Sequence, residues 1–206
     1  MIKNILWDFD GVILDSMKTR DWGFREIFKL FNKEHVDKLL EYHNLNGGLS
    51  RYVKIRYFYE EILEKKITED EVLKYAENFS LLMKEELVNP NNLILDSVNF
   101  IKNNYKNYNF HIVSGSDQNE LRFLCKELNL DLFFLSIHGS PTPKKQLVNL
   151  LLKKYNYNLS NTCLIGDSIN DFEAADYNSI GFYGYNNPKL FDVSVTYINS
   201  FKNFCI

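Results

Sequence analysis

Two aspartates separated by one residue, Asp8 and Asp10, follow the apolar run Ile5-Leu6-Trp7 and precede Gly11. Side chains alternate along a strand, so both carboxylates leave the end of such a run on one face until the glycine lets the backbone turn. Carboxylates that close repel each other, and the arrangement survives where a cation or a shared proton offsets the repulsion. The residue types therefore point to metal-assisted chemistry at the carboxyl end of a buried strand, where open α/β sheets place their ligands. Three later segments carry complementary groups. Ser114-Gly115-Ser116 sets hydroxyls and a glycine ahead of a helix, whose free amides suit a phosphate oxygen. Pro143-Lys144-Lys145 opens another helix with two cations, and Gly166-Asp167-Ser168 ends a further apolar run, with Asp171 one turn beyond.

Strands and helices must deliver these groups to one place. Apolar runs with strand character lie at 2–7, 110–113, 133–137, 163–165 and 179–183, with a weaker one at 194–198. Helical patterns at 118–128, 144–155 and 170–177 separate the later runs. That alternation predicts an α/β fold, a Rossmann-like parallel sheet with helices on both faces. The stretch from Met17 to Glu86 breaks it, because apolar residues there recur at helical spacing and no strand is evident. Thr68 followed by Glu-Asp-Glu reads as a helix cap with acids in the first turn, and a further helix is expected at 93–105. The expected organisation is an α/β core from 1–16 and 87–206 with a helical insertion at 17–86.

Bulk properties narrow the partners. A net charge of -3, from 27 acidic and 24 basic residues, speaks against a nucleic-acid partner. No stretch approaches the ~18 apolar residues of a membrane span, and the N-terminus lacks a secretory pattern; a cytoplasmic protein without a membrane partner is expected. Cys125, Cys163 and Cys205 are too far apart, and odd in number, for a disulfide framework or a zinc site. His35, His43 and His111 show no metal-ligand spacing.

In order, the chain presents Asp-x-Asp-Gly-Val-x-x-Asp-Ser (Asp8 to Ser16), then Ser114, Lys144 and Gly-Asp-Ser-x-Asn-Asp (Gly166 to Asp171). This series resembles the haloacid dehalogenase-like hydrolase superfamily, in its helical-cap branch of phosphoglycolate phosphatase-like and β-phosphoglucomutase-like enzymes. The resemblance implies a phosphatase for a small phosphorylated metabolite, with the insertion as its cap. Oxygen donors at both ends of the chain suit a hard cation such as Mg2+. By resemblance, the side chains of Asp8 and Asp167 and the backbone carbonyl of Asp10 hold the metal, with Asp171 bound directly or through water.

The resemblance further implies that Asp8 attacks phosphorus, forming an aspartyl-phosphate, and that Asp10 protonates the leaving alcohol and later activates water. Ser114 and Lys144 would bind the transferring phosphoryl group, helped by the Phe9 and Gly115 amides. Two lysines are adjacent, and family spacing favours Lys144 over Lys145. Asp15 and Ser16 are expected to shape the turn into the cap. In the cap, Gly47 to Lys54 resembles a specificity loop, with Arg51 or Lys54 contacting a polar substrate tail; a helix turn with solvated basic side chains is the competing reading. A phosphosugar mutase shares every core motif, and a noncatalytic phospho-ligand-binding protein on the same fold is a further alternative.

Overall fold

The computed structural model describes residues 1–202 and 204; Cys205 lies outside them. Six parallel strands form one sheet: β1 (Asn4–Trp7), β2 (Asn109–Asp117), β3 (Ser136–Ser140), β4 (Thr162–Gly166), β5 (Gly181–Tyr185) and β6 (Thr196–Ile198). Their order is β3-β2-β1-β4-β5-β6, a doubly wound Rossmann-like arrangement whose direction reverses between β1 and β4. A sheet buried on both faces reads as continuous apolar sequence, and all four residues of β1 are buried. On one face Ile5 and Trp7 pack with Val98 and Ile101 of α5 (Leu95–Asn104) and Leu121 and Leu124 of α6 (Gln118–Glu127). On the other, Leu6, Val113 and Leu164 pack with Val148 of α7 (Lys144–Tyr155) and Ala174 of α8 (Ile169–Tyr177). Cys125 and Cys163 are free thiols within this packing.

Between β1 and β2 the chain builds its regular elements as helices. It forms α1 (Met17–Ile27), α2 (Lys33–Leu45), α3 (Arg51–Tyr57) running into a π-helical turn Phe58–Ile62, and α4 (Glu69–Glu86). Thr68 and Glu71 make a reciprocal capping box at the start of α4, as their spacing predicts. Aromatic packing organises this insert: Phe28 stacks on Phe58 at 4.1 Å between ring centres, and Phe24 meets Phe79 at 4.5 Å.

Three boundaries depart from the sequence pattern, each because pairing overrides local hydrophobicity. The run at 133–137 is not the strand itself; Asp131–Phe133 is a 3-10 turn, and β3 begins where Ser136 comes into register with His111. The last helix ends at Tyr177, and Ser179 adopts a left-handed φ of 55°, which delays β5 until Gly181. The second strand runs past Val113 to Asp117, so the Ser-Gly-Ser segment is strand and not loop.

Trp7 carries much of the packing beneath the site, with its ring 5.5 Å from Phe110 and 5.4 Å from Phe201. Trp7→Ala is expected to cost about 3–5 kcal/mol in urea unfolding. A loss below about 1 kcal/mol would show that β1 is not anchored this way.

Candidate active site

The carboxyl ends of β1 and β4 flank the point where strand order reverses, and they bring Asp8 and Asp167 together. By strand alternation Asp8 follows Leu6 on the face covered by α7 and α8. There Lys144, the first residue of α7, lies 2.9 Å from Asp8 Oδ1. Its ammonium also donates to Asp171 Oδ1. Asp171 is oriented in turn by Ser168, whose amide (3.0 Å) and hydroxyl (2.6 Å) both donate to Oδ2.

Asp8, Asp167 and Asp171 each place an oxygen within 4.8 Å of the others, a donor set that suits a hard divalent cation. Gly11 makes the cluster possible. It adopts φ +73°, and a Cβ there would lie 1.9 Å from Asp167 Oδ2.

Electrostatics agree with a cation site. Burial, and then the charge of Asp171, push the Asp8 carboxyl up to about 8 despite Lys144. Asp167 is driven well above the usual carboxylate range by burial and by Asp8 and Asp171. Lys144 is also raised: Asp171 and Asp8 outweigh the cost of its burial and hold it protonated.

Asp10 diverges from Asp8 after the strand. Its carboxylate accepts from Ser16 (2.5 Å), from Arg20 Nε in α1 (2.7 Å) and from Ser116 (2.5 Å). Burial alone would raise its pKa, but Arg20 and the two hydroxyls outweigh burial and keep it low. Its side chain therefore faces the insert and not the acidic cluster.

The remaining expected residues fall into place unevenly. Ser114 is buried in β2, its hydroxyl accepting from the Ser116 amide at 3.1 Å. Asp117 caps α6 and occupies its Asn119 and Glu120 amides, so these helix amides are not free for a phosphate. The Phe9 amide donates to Asp8 Oδ1 at 2.7 Å, serving that carboxylate directly. Lys145 is exposed over the Tyr177 ring, whereas Lys144 is buried in the cluster. Arg51 and Lys54 are both buried, which overturns the reading of a solvated helix turn. Arg51 donates to Glu120 Oε2 (2.5 Å) and Ser80 (2.6 Å), and lies over the Phe79 ring. Lys54 contacts His43 Nδ1 at 2.6 Å.

Sequence reading missed Arg20 and Glu120. Glu120 of the core takes Arg20 Nη1 at 3.1 Å on one oxygen and Arg51 on the other, tying two helices of the insert to α6. A signal was available. Glu120 precedes Leu124, Arg20 precedes Phe24 and Arg51 precedes Ile55, each by four residues, so each charge sits on a buried apolar stripe.

The fold and the clustered carboxylates define a class: a doubly wound α/β protein with an oxygen-ligand, lysine-balanced site at its strand ends. The family model for haloacid dehalogenase-like hydrolases matches residues 5–184, and the chain belongs to that family. Among similar solved structures is a β-phosphoglucomutase from Clostridium difficile, with TM-score 0.77, 17% identity, and 100% of this chain and 94% of that one covered. CbbY from Rhodobacter sphaeroides in complex with phosphate gives TM-score 0.74 at 16% identity, covering 98% and 96%. A predicted phosphoglycolate phosphatase from Haemophilus somnus 129pt gives 0.71 at 17%, covering 97% and 95%. At such identities the likeness is one of fold. No curated protein sequence matches the chain, and no helix among the described residues is long and apolar enough to cross a membrane.

Two outcomes test this geometry. A carboxyl whose folded pKa lies above its unfolded value binds its proton more tightly when folded, so its stabilisation is complete at low pH and fades as pH rises through the folded pKa. Chelator-treated protein should therefore lose urea stability from about pH 4 to about pH 8, and a divalent cation should reduce the loss; a flat profile would contradict the cluster. The insert also touches the core closely: a Cβ on Gly115 would lie 2.3 Å from the Gly48 carbonyl oxygen. Gly115→Ala is expected to cost about 1–3 kcal/mol at that contact, seen as faster amide exchange at residues 47–50 but not along β1.

Proposed function

We propose that this protein is a Mg2+-dependent phosphatase that hydrolyses a small phosphorylated metabolite, a sugar phosphate or a phosphoglycolate-like acid, through an aspartyl-phosphate on Asp8. The observation that carries the reading is the division of labour between the two N-terminal carboxylates. Asp8 sits against Lys144 in the acidic cluster, while Asp10 is held apart by Arg20, Ser16 and Ser116. Nucleophilic catalysis at phosphorus needs one carboxylate to attack and another group to manage protons.

Asp8, Asp167 and Asp171, with the Asp10 backbone carbonyl, would hold the metal, which when bound supplies positive charge against the phosphoryl oxygens. Lys144 neutralises the approaching phosphate from the other side and keeps Asp8 oriented. Ser114 and the Gly115 amide bind transferring oxygens. As phosphorus moves to the Asp8 carboxylate and its bond to the leaving oxygen breaks, Asp10, having first taken a proton from solvent, gives that proton to the leaving oxygen. It then takes one from the water that cleaves the acyl phosphate; the ionised form favoured by Arg20 is the one this second half needs.

Residues 17–86 act as a cap that excludes bulk water during transfer and opens for exchange. The CbbY structures, one with phosphate and one with xylulose-(1,5)bisphosphate, support a phosphorylated ligand on this fold. A mutase would use the same core, and the fold likeness to β-phosphoglucomutase is the observation that favours it. It would return the phosphoryl group to sugar and release no phosphate.

A phosphate-release screen over phosphorylated metabolites, with and without Mg2+, tests the proposal. Release should require Mg2+ and fall by on the order of a thousandfold or more in Asp8→Asn. Isomerised but still phosphorylated product would favour the mutase. Activity that survives Asp8→Asn would defeat both.

A further inference from the structure

Two of the three clustered carboxylates are held by contacts to their own oxygens. Asp8 meets Lys144 at 2.9 Å and the Phe9 amide at 2.7 Å, and Asp171 accepts from the amide and hydroxyl of Ser168. Asp167 takes part in none of these contacts and is held through its backbone. The side-chain amide of Asn187 donates to the Asp167 carbonyl oxygen at 2.7 Å. Its neighbour Asn186 donates in the same way to the Gly11 carbonyl oxygen at 2.9 Å.

These two carbonyls belong to the loops that must stay in register. The β1–β4 ladder ends at Trp7 and Ile165, with one more bond from the Asp8 amide to the Ile165 carbonyl. Gly11 and Asp167 lie past that end, yet they pack so closely that a Cβ on Gly11 would meet the Asp167 carboxylate. The asparagines arrive from β5, whose Gly184 is in register with Gly166 of β4. Adjacent residues stand only ~3.8 Å apart along the chain, so one dipeptide fixes the spacing of both loops.

Asparagine suits both places. Asn186 adopts a left-handed φ of 57°, which asparagine tolerates better than other residues with a Cβ. Asn187 uses both ends of its amide. Its Oδ1 accepts from the Lys189 amide at 3.2 Å and caps the 3-10 turn Pro188–Val193, leaving Nδ2 for Asp167. The buried Leu190 anchors that turn. Packing does not do the same for the Asp167 loop, because a cavity of about 250 Å³ borders Asp167, Ser168 and Asn187 on the side of the insert.

We infer that Asn186 and Asn187 are positioning residues for the divalent cation: they hold Gly11 and Asp167 at the separation that lets the Asp167 carboxylate join Asp8 and Asp171. The inference rests on the Mg2+ site of the phosphatase reading. It adds two residues that touch neither metal nor substrate.

Calorimetric titration of the full-length protein with Mg2+ tests it, on wild type, Asn187→Ser and Asn186→Gly. Serine keeps a capping oxygen for the Lys189 amide, and glycine keeps the left-handed backbone. Each variant loses only the donor. Each should raise the Mg2+ Kd by about 3- to 10-fold, the factor that one neutral hydrogen bond supplies. The Mg2+ concentration for half-maximal phosphate release should rise equally, while kcat at saturating Mg2+ stays within about twofold of wild type.

An unchanged Mg2+ Kd in either variant would overturn the assignment, as would a fall in kcat that saturating Mg2+ does not restore. Mg2+ binding by wild type would uphold the cation site in both cases. Absence of Mg2+ binding by wild type would fail the site and the assignment together. Binding that both variants weaken, without phosphate release from any phosphorylated metabolite, would keep the assignment and fail the phosphatase.

Discussion

Three buried or half-buried carboxylates converge on one lysine at the carboxyl edge of the sheet, and their mutual repulsion constrains the structure around them. Asp8, Asp167 and Asp171 come from β1, from the end of β4 and from the first turn of α8, elements held in place by apolar packing on the two sheet faces. Sheet burial must hold these charges together against a force that would separate them. Lys144 relieves part of it, by contact with Asp8 and Asp171 at once. Asp167 has no such contact, and burial with the unrelieved repulsion of Asp8 and Asp171 pulls its pKa upward. Glycine at position 11 belongs to the same constraint, because any side chain there would occupy the space of the Asp167 carboxylate.

A second electrostatic centre stands a few residues away and works by the opposite logic. Around Asp10 and Glu120 the carboxylates are paired with Arg20 and Arg51, which come from the helical insert and not from the sheet. Glu120 binds the insert to the core through two arginines, while Arg20 connects that junction to the proposed proton donor. The contact that seats the insert on the core thus shares the Arg20 guanidinium with Asp10. Tyr52 adds a third tie, donating to the Asp117 that caps α6 at 2.8 Å.

Much of the core site was legible from residue order. Asp8, Ser114, Lys144 and Asp167 each end or follow an apolar run or open a helix, and a parallel sheet brings such positions to one edge. Family spacing favours Lys144 over Lys145; in the structure the first residue of α7 faces the cluster while the next is turned toward Tyr177 and solvent. The helix that follows Ser114 starts later than the sequence pattern implies, because β2 continues to Asp117. For Arg51 and Lys54 the sequence left a substrate contact and a solvated helix turn both open; packing in the fold buries the two side chains and removes the second reading.

By itself, the sequence determined the layer architecture, the helical character of 17–86 and the identity of the acidic cluster. Those depend on periodicity and on groups tied to strand and helix ends, which are local properties. Only the tertiary structure decided the partners of Asp10 and the Arg20–Glu120–Arg51 junction. Each joins residues from separate elements, and nothing in local spacing records which buried charge will meet which. The pairing is settled when desolvation forces every buried charge to find an opposite one within reach, and reach is set by the whole fold.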